Sequence, residues 1–327
     1  MKRFLITTLS FLFILFILDR FFLLFRPNET NLFVKIAKEK LEIVSPKISN
    51  KKKPNTLIVG SSHAQFAIST EVIDKKLKSS SINLAYGGGA NTGIQLTILK
   101  KLISEKNVTP NLIIYGIDIF SLTEEPYYSD KFIKYLFKES NDITDLLKSN
   151  MFFSYFKLYG RFIPRYINQI KTGNYAIPYF NSDASLDLKM FNTYEKYEIS
   201  EGGWVKGYGL LNKLYIGHPE ATFNLNQKAQ YELDAYVDLC KINNITLVFI
   251  QIPEHDVCLK WKKKYDDFDL WMNQFVSKHN LTYWDFNNSQ SFPTTTDSLF
   301  FDSDHLNKTG AELFTLKLAD KLKSAKL

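Results

Sequence analysis

Short, mostly apolar runs alternate along this chain with segments whose apolar residues recur every three or four positions. The runs fall at 56–59, closed by Gly60; at 82–84, followed by glycines; at 112–115, closed by Gly116; and at 245–252 and 281–286. Runs of this length, bounded by turn residues, predict strands buried on both faces. The segments at 94–103, 227–241 and 267–278 carry apolar residues at helical spacing and predict amphipathic helices between the strands. A further apolar helix is predicted at 311–318. Strands alternating with helices imply a parallel sheet covered on both faces. In such sheets ligands bind beyond the carboxyl ends of the strands, which is where the glycine-ended runs point.

Two regions depart from this alternation. Behind Lys2 and Arg3, residues 4–18 are almost wholly apolar, and 21–25 continue the stretch past Asp19 and Arg20. A helix over 4–25 would span roughly 33 Å, enough for a bilayer, whereas 4–18 alone reaches only about 22 Å. No small-x-small cleavage site follows, so residues 1–26 are expected to be an uncleaved transmembrane signal anchor. Arg26, Lys35, Lys38 and Lys40 outnumber the cations in front of it, and that count alone would keep the domain in the cytoplasm. A hydrophobic segment at the extreme N-terminus with a short basic lead favours export instead. The expectation is therefore a single-pass protein with a cytoplasmic N-terminus and an extracytoplasmic domain. Residues 27–54 are expected to be a juxtamembrane segment, with a short amphipathic helix at 31–45 and a Lys-rich linker from Pro46 to Pro54. The folded domain is expected over 55–327. Within it, 121–226 interrupts the alternation with a Phe-, Tyr- and Lys-rich insertion expected to cap the strand ends. Its aromatic residues, Trp204 among them, could line a subsite or form the insertion's own core.

Composition adds exclusions. With 327 residues, 45% of them hydrophobic, the chain can bury a sizeable core. The net charge of +7 is scattered, and no stretch pairs dense arginine with stacking aromatics, so a nucleic-acid partner is not expected. Cys240 and Cys258 lack metal-site spacing; one bridge or two free thiols are both compatible with the sequence. Neither a metal nor a cofactor is expected, and Gly87-Gly88-Gly89 has neither P-loop nor dinucleotide-fingerprint spacing.

Two constellations could carry chemistry. Gly60-Ser61-Ser62-His63 places a serine on a strand-to-helix turn, where its hydroxyl is exposed and backbone N–H groups face a developing oxyanion. Asp302-Ser303-Asp304-His305-Leu306-Asn307 precedes the last helix. Nucleophilic serine catalysis needs a base for the hydroxyl proton and an acid to fix that base's tautomer, and Asp302 can serve His305 from the same loop. Asp304 is the rival for that orienting role.

Together these motifs resemble those of the SGNH (GDSL-like) hydrolase superfamily. Gly60-Ser61-Ser62 looks like its first block, Asn83-Leu84-Ala85-Tyr86-Gly87-Gly88 its second, Gly116-Ile117-Asp118 its third, and Asp302 to His305 its last. The resemblance covers 55–118 and 239–318. It implies a flavodoxin-like three-layer α/β/α fold on a mostly parallel five-stranded sheet. It also implies Ser62 as nucleophile, His305 as base and then acid, and Asp302 as orienter. The oxyanion hole would use the N–H groups of Ser62 and Gly88, with Gly87 as fallback. Ser61 stands where the family usually has aspartate, and Asp118 where it has a hydrogen-bond-donating asparagine. An ionised carboxylate cannot donate. Either Asp118 is protonated, or it points away, or another donor such as Asn91 substitutes. The implied activity is a serine esterase or O-acyltransferase acting on acyl esters, acetyl above all, of a cell-surface glycan, with a multispanning membrane protein as possible acyl donor. A catalytically impaired binding or assembly protein and a lipase are the alternatives. His63, beside the serine, reads as a pocket wall or a second base, and His255 as a residue of the crevice rim.

Overall fold

The computed structural model describes residues 32–49, 53–87, 92–123, 197–210, 223–259 and 263–327, and elements are numbered among these. Helix α1 (Leu32–Ser49) leads into β1 (Thr56–Gly60), α2 (Ser62–Ala67), α3 (Thr70–Leu77), β2 (Ser81–Asn83), α4 (Thr92–Lys106) and β3 (Leu112–Gly116). Then come α5 (Ile119–Thr123), β4 (Tyr197–Ile199), β5 (Val205–Gly207), α6 (Gln227–Ile242) and β6 (Thr246–Gln251). Last are α7 (Asp256–Leu259), α8 (Lys263–His279), β7 (Thr282–Asp285), a 3-10 turn (Asp297–Leu299) and α9 (Lys308–Ser324).

Each of the five apolar runs forms a strand of one sheet, ordered β2-β1-β3-β6-β7, and every neighbouring pair in it is parallel. The order reverses between β1 and β3, which sets the ligand crevice of a doubly wound sheet beyond their carboxyl ends. Alternate residues feed two cores, as a period-two strand requires. Leu57, Val59, Ile113, Tyr115, Leu247 and Phe249 pack with α4, α6 and α8 on one face. Ile58, Ile114, Val248 and Ile250 pack with α2, α3 and α9 on the other. Helix α6 matches the segment that predicted it to within a residue, whereas α4, α8 and α9 run beyond theirs; polar caps fix the starts of α6 and α9. The Asn226 side chain accepts from the N–H groups of Lys228 and Ala229, and that of Asn307 from Gly310.

Helix α1 differs from expectation, running through Pro46 to Ser49 where a linker was expected. An internal proline costs roughly 3 kcal/mol. Val44 and Ile48, on either side of it, are buried, and burial of two such side chains contributes about 3–6 kcal/mol. Packing outweighs the local penalty. Ile36 and Leu41 are buried with them, so α1 lies against the body of the domain.

Of the 121–226 insertion, the described part includes an antiparallel hairpin, β4 with β5, seated on α2. Trp204 neither lines a subsite nor serves a separate core: it is fully buried among residues of the sheet-and-α9 core, with Nε1 donating to Phe66 O at 2.7 Å. No helix among the described residues is long and apolar enough to cross a membrane, and the stretch at 4–25 lies outside them. Cys240 and Cys258 are both free and buried.

Candidate active site

The turn after β1 depends on two glycines facing each other across β1 and β3. Gly60 has φ +135°, and a Cβ there would lie 2.3 Å from Gly116 O. A Cβ on Gly116 would in turn lie 2.7 Å from the Ala64 Cβ. With no side chains between them, α2 starts directly on the strand ends. Ser61 caps it, accepting from the His63 N–H, and Ser62 becomes the first helical residue.

From the other side comes the loop ahead of α9. Asp302 Oδ1 accepts the N–H groups of Asp304 at 3.0 Å and His305 at 2.7 Å, which folds the loop back on itself. Phe300 and Leu306 bridge its ends. This geometry brings Ser62, Asp302 and His305 together across 243 residues of sequence: His305 Nε2 lies 2.8 Å from Ser62 Oγ. On its far edge His305 Nδ1 lies 3.0 and 2.9 Å from the two oxygens of Asp302. Asp304 Oδ1 is farther, at 3.4 Å, so Asp302 is the better placed of the two rivals to hold the imidazole. The ring is clamped between Phe301, stacked at 5.5 Å, and His63, stacked at 5.0 Å.

The electrostatics follow from burial among carboxylates. Burial opposes the charged form of His305, but Asp302 and then Asp304 outweigh it and push its pKa up to about 9. Burial lifts the Asp302 carboxyl, with Asp304 adding to the rise and His305 opposing it. The arrangement is chemically that of a hydroxyl aligned with a base whose other nitrogen is held by an acid.

Around it lies a second polar cluster. Asp118 Oδ2 accepts the Ser61 hydroxyl and lies 3.1 Å from His63 Nδ1, while Oδ1 accepts both the N–H and the hydroxyl of Ser121 at 2.8 Å. Burial alone would raise the Asp118 carboxyl, yet the bonds from His63, Ser61 and Ser121 outweigh it and hold the pKa below the usual range. Asp118 is therefore an ionised acceptor with its oxygens engaged, not a donor. The hydroxyl at 61, after β1, donates to the carboxylate at 118, after β3. Ser61 and Asp118 thus form one hydrogen-bonded unit. His63 belongs to it. Burial lowers its pKa, but Asp118, Asp304 and Glu254 together raise it well above the ordinary value, so it is a cation among carboxylates. Its Nε2 lies 3.8 Å from Asp304 Oδ2 and 4.0 Å from Glu254 Oε1. Glu254 in turn accepts from the Tyr265 hydroxyl.

Ligand atoms of His63, Asp304 and His305 lie within 4.8 Å of one another, a grouping that could hold a cation. The two rings stack at 26° between planes, so their in-plane lone pairs do not converge, and a shared cation would have to turn His305 away from Ser62.

The expected oxyanion donors fare unequally. Gly87 N–H donates to Gln65 Oε1 at 3.0 Å, which commits the fallback donor elsewhere. Gly88 and Asn91 lie outside the described residues. His255 is tied to Asp297 through Nε2 at 3.1 Å, and its N–H donates to Ser303 O, so it buttresses the His305 loop. Gln65, Glu254 and Lys40 were not singled out from the sequence. Only Ser61 and Asp118, the two positions that depart from the resemblance noted in the sequence, could have signalled the second cluster when taken as a pair.

No protein-family model matches the chain. No curated protein matches it. Among solved structures it is similar to one described as a candidate acylhydrolase from Bacteroides fragilis, at 11% identity over 92% of this chain and 99% of that one, with a TM-score of 0.39.

Proposed function

We propose that this chain is a serine esterase or O-acyltransferase that works through an acyl-serine intermediate. The observation that carries this reading is the single line of contacts from Ser62 Oγ to His305 Nε2, at 2.8 Å, and from His305 Nδ1 to Asp302. In the first half-reaction Ser62 Oγ attacks the acyl carbonyl carbon and its proton passes to His305 Nε2. The carbon–oxygen bond to the leaving alcohol then breaks, and that oxygen takes the proton from His305. In the second, water or an acceptor hydroxyl gives its proton to His305 and attacks the same carbon, and Ser62 Oγ departs with the proton. Asp302 keeps Nδ1 protonated and stabilises the imidazolium between transfers. The Ser62 and Gly88 N–H groups are the proposed oxyanion donors. Losing one such donor typically costs about a hundredfold to a thousandfold in rate, so engagement of Asp118 and Gly87 elsewhere implies a slow or narrowly specific enzyme.

The SGNH-like blocks and the apolar stretch at 4–25 support a finer proposal: an anchored, extracytoplasmic enzyme acting on acetyl esters of a cell-surface glycan, supplied by a multispanning acyl donor. The test is covalent labelling of the full-length protein by a fluorophosphonate, with Ser62→Ala as control. Labelling that disappears in Ser62→Ala is the expected result. A folded wild type that does not label would overturn the enzyme reading in favour of a binding or assembly role.

A further inference from the structure

The amine of Lys40 is fully buried in α1, outside the catalytic cluster. It donates to Asn83 Oδ1 at 3.2 Å and to the carbonyl of Ala85. Burial holds its pKa well below the ordinary lysine range, consistent with an amine whose partners are neutral oxygens. Asn83 is a hub. Its Nδ2 donates to Ala64 O at 3.0 Å and Ile68 O at 3.2 Å, both on the nucleophile helix and its end. Its Oδ1 also accepts the Ala85 N–H at 3.1 Å. The Ala85 residue is thus held by its N–H and its carbonyl together. Two residues on, Gly87 is tied to Gln65 of the same helix, and between them Tyr86 N–H donates to Gly60 O.

The hairpin closes over this junction. Asn83 N–H donates to Gly202 O at 2.8 Å, and Gly203, at φ +85°, has so little space that a Cβ would lie 2.7 Å from Val44 Cγ1 and 3.3 Å from Lys40 Cε. Tyr197 OH donates to Glu39 Oε2 at 2.7 Å, one residue before the lysine. Helix α1 is therefore seated from two sides with its amine inserted between strand β2 and the loop that follows.

We infer that Lys40 is a positioning residue, by which helix α1 sets the loop at Ala85–Gly87 against the nucleophile helix, so that reactivity at Ser62 depends on how α1 is docked. Without the amine, the Ala85 carbonyl loses a buried partner and the loop one of its restraints. The kinetic part of this inference rests on the acyl-serine reading; the structural part does not.

The experiment compares the full-length wild type with Lys40→Met, which keeps the length of the side chain and removes the donors. Amide hydrogen exchange at 84–87, thermal melting and the second-order rate of fluorophosphonate labelling across pH are measured together. Expected are exchange at Ala85 and Gly87 about tenfold faster with the amides of β3 and β6 unchanged, and labelling about tenfold slower at every pH with the pH limb in place. Unchanged loop exchange, or an unchanged labelling rate, in a folded Lys40→Met protein would overturn the inference. Should that variant not fold, Tyr197→Phe, which loosens α1 at Glu39, decides: faster exchange at Ala85–Gly87 supports the inference and no change sinks it. A wild type that never labels defeats the enzyme reading alone, since the exchange comparison still tests the positioning.

Discussion

On the proposed acyl-serine mechanism, replacing Asp304 by asparagine should speed labelling of Ser62 at neutral pH. As a base His305 must be uncharged, and Asp302 and Asp304 push its pKa up to about 9. At pH 7 about one molecule in a hundred then carries the reactive form, and the labelling rate of Ser62 should rise about tenfold per pH unit until it levels near pH 9. Asp304 Oδ1 stands 3.4 Å from His305 Nδ1. At that separation Coulomb's law gives about 1 kcal/mol in water and about 5 kcal/mol at an effective dielectric constant of 20. The lower part of that range is the relevant one, because Asp304 is partly open to solvent and ranks behind Asp302 as a cause of the rise. A loss of about 1.4–2.7 kcal/mol moves the limb one to two pH units toward acid. The sign is fixed: removing a negative charge lowers the imidazolium's pKa, so Asp304→Asn should label about ten- to a hundredfold faster than wild type at pH 7. Above pH 9 the two should converge. Stopped-flow or gel-based labelling with a fluorophosphonate from pH 6 to 10 measures both curves. A limb that stays in place would refute the electrostatic argument. A rate that falls by the same large factor at every pH would instead make Asp304 the orienting acid.

Asp302→Asn should do what Asp304→Asn does not, lowering labelling by about ten-thousandfold across the pH range, as expected for loss of the group that sets a triad histidine's tautomer. Gly60→Ala should unfold the protein or cost more than about 3 kcal/mol in a denaturant melt, since the new Cβ combines φ +135° with a 2.3 Å approach to Gly116 O. A variant within 1 kcal/mol of wild type would contradict the packing described here. Trp204→Phe removes the bond to Phe66 O from a fully buried site and should cost about 1–3 kcal/mol, seen as a lower denaturant midpoint at constant slope.

The strands were legible because a parallel strand covered on both faces is largely apolar, and the signal is weakest in β7, which is half-buried and carries Thr282 and Asp285. The meeting of Ser62 with the Asp302–His305 loop was legible only through motif order, since nothing local at either end requires the other. Helix α1 was misjudged at Pro46 because proline is a local signal and the burial of Val44 and Ile48 is not. Lys40 gave no sign at all: in a basic segment with Lys35 and Lys38, one amine that turns inward looks like its neighbours. Trp204 was read with its neighbours in the insertion, although its partner, Phe66 O, lies 138 residues away. Asp118 and Ser61 were each noticed as departures, but their bond across 57 residues is a property of the sheet order, which sets β1 beside β3.

That bond constrains how the two positions can drift. On the Nδ1 side of His63 stands the carboxylate of Asp118, whose Oδ2 also takes the hydroxyl at 61. Mutating Ser61 alone to aspartate would set two anions face to face, and mutating Asp118 alone to asparagine would leave His63 with only the more distant Asp304 and Glu254. Only the paired exchange conserves the charge. Substitutions at 61 and 118 should therefore be coupled, the double exchange being more stable than the two single changes summed.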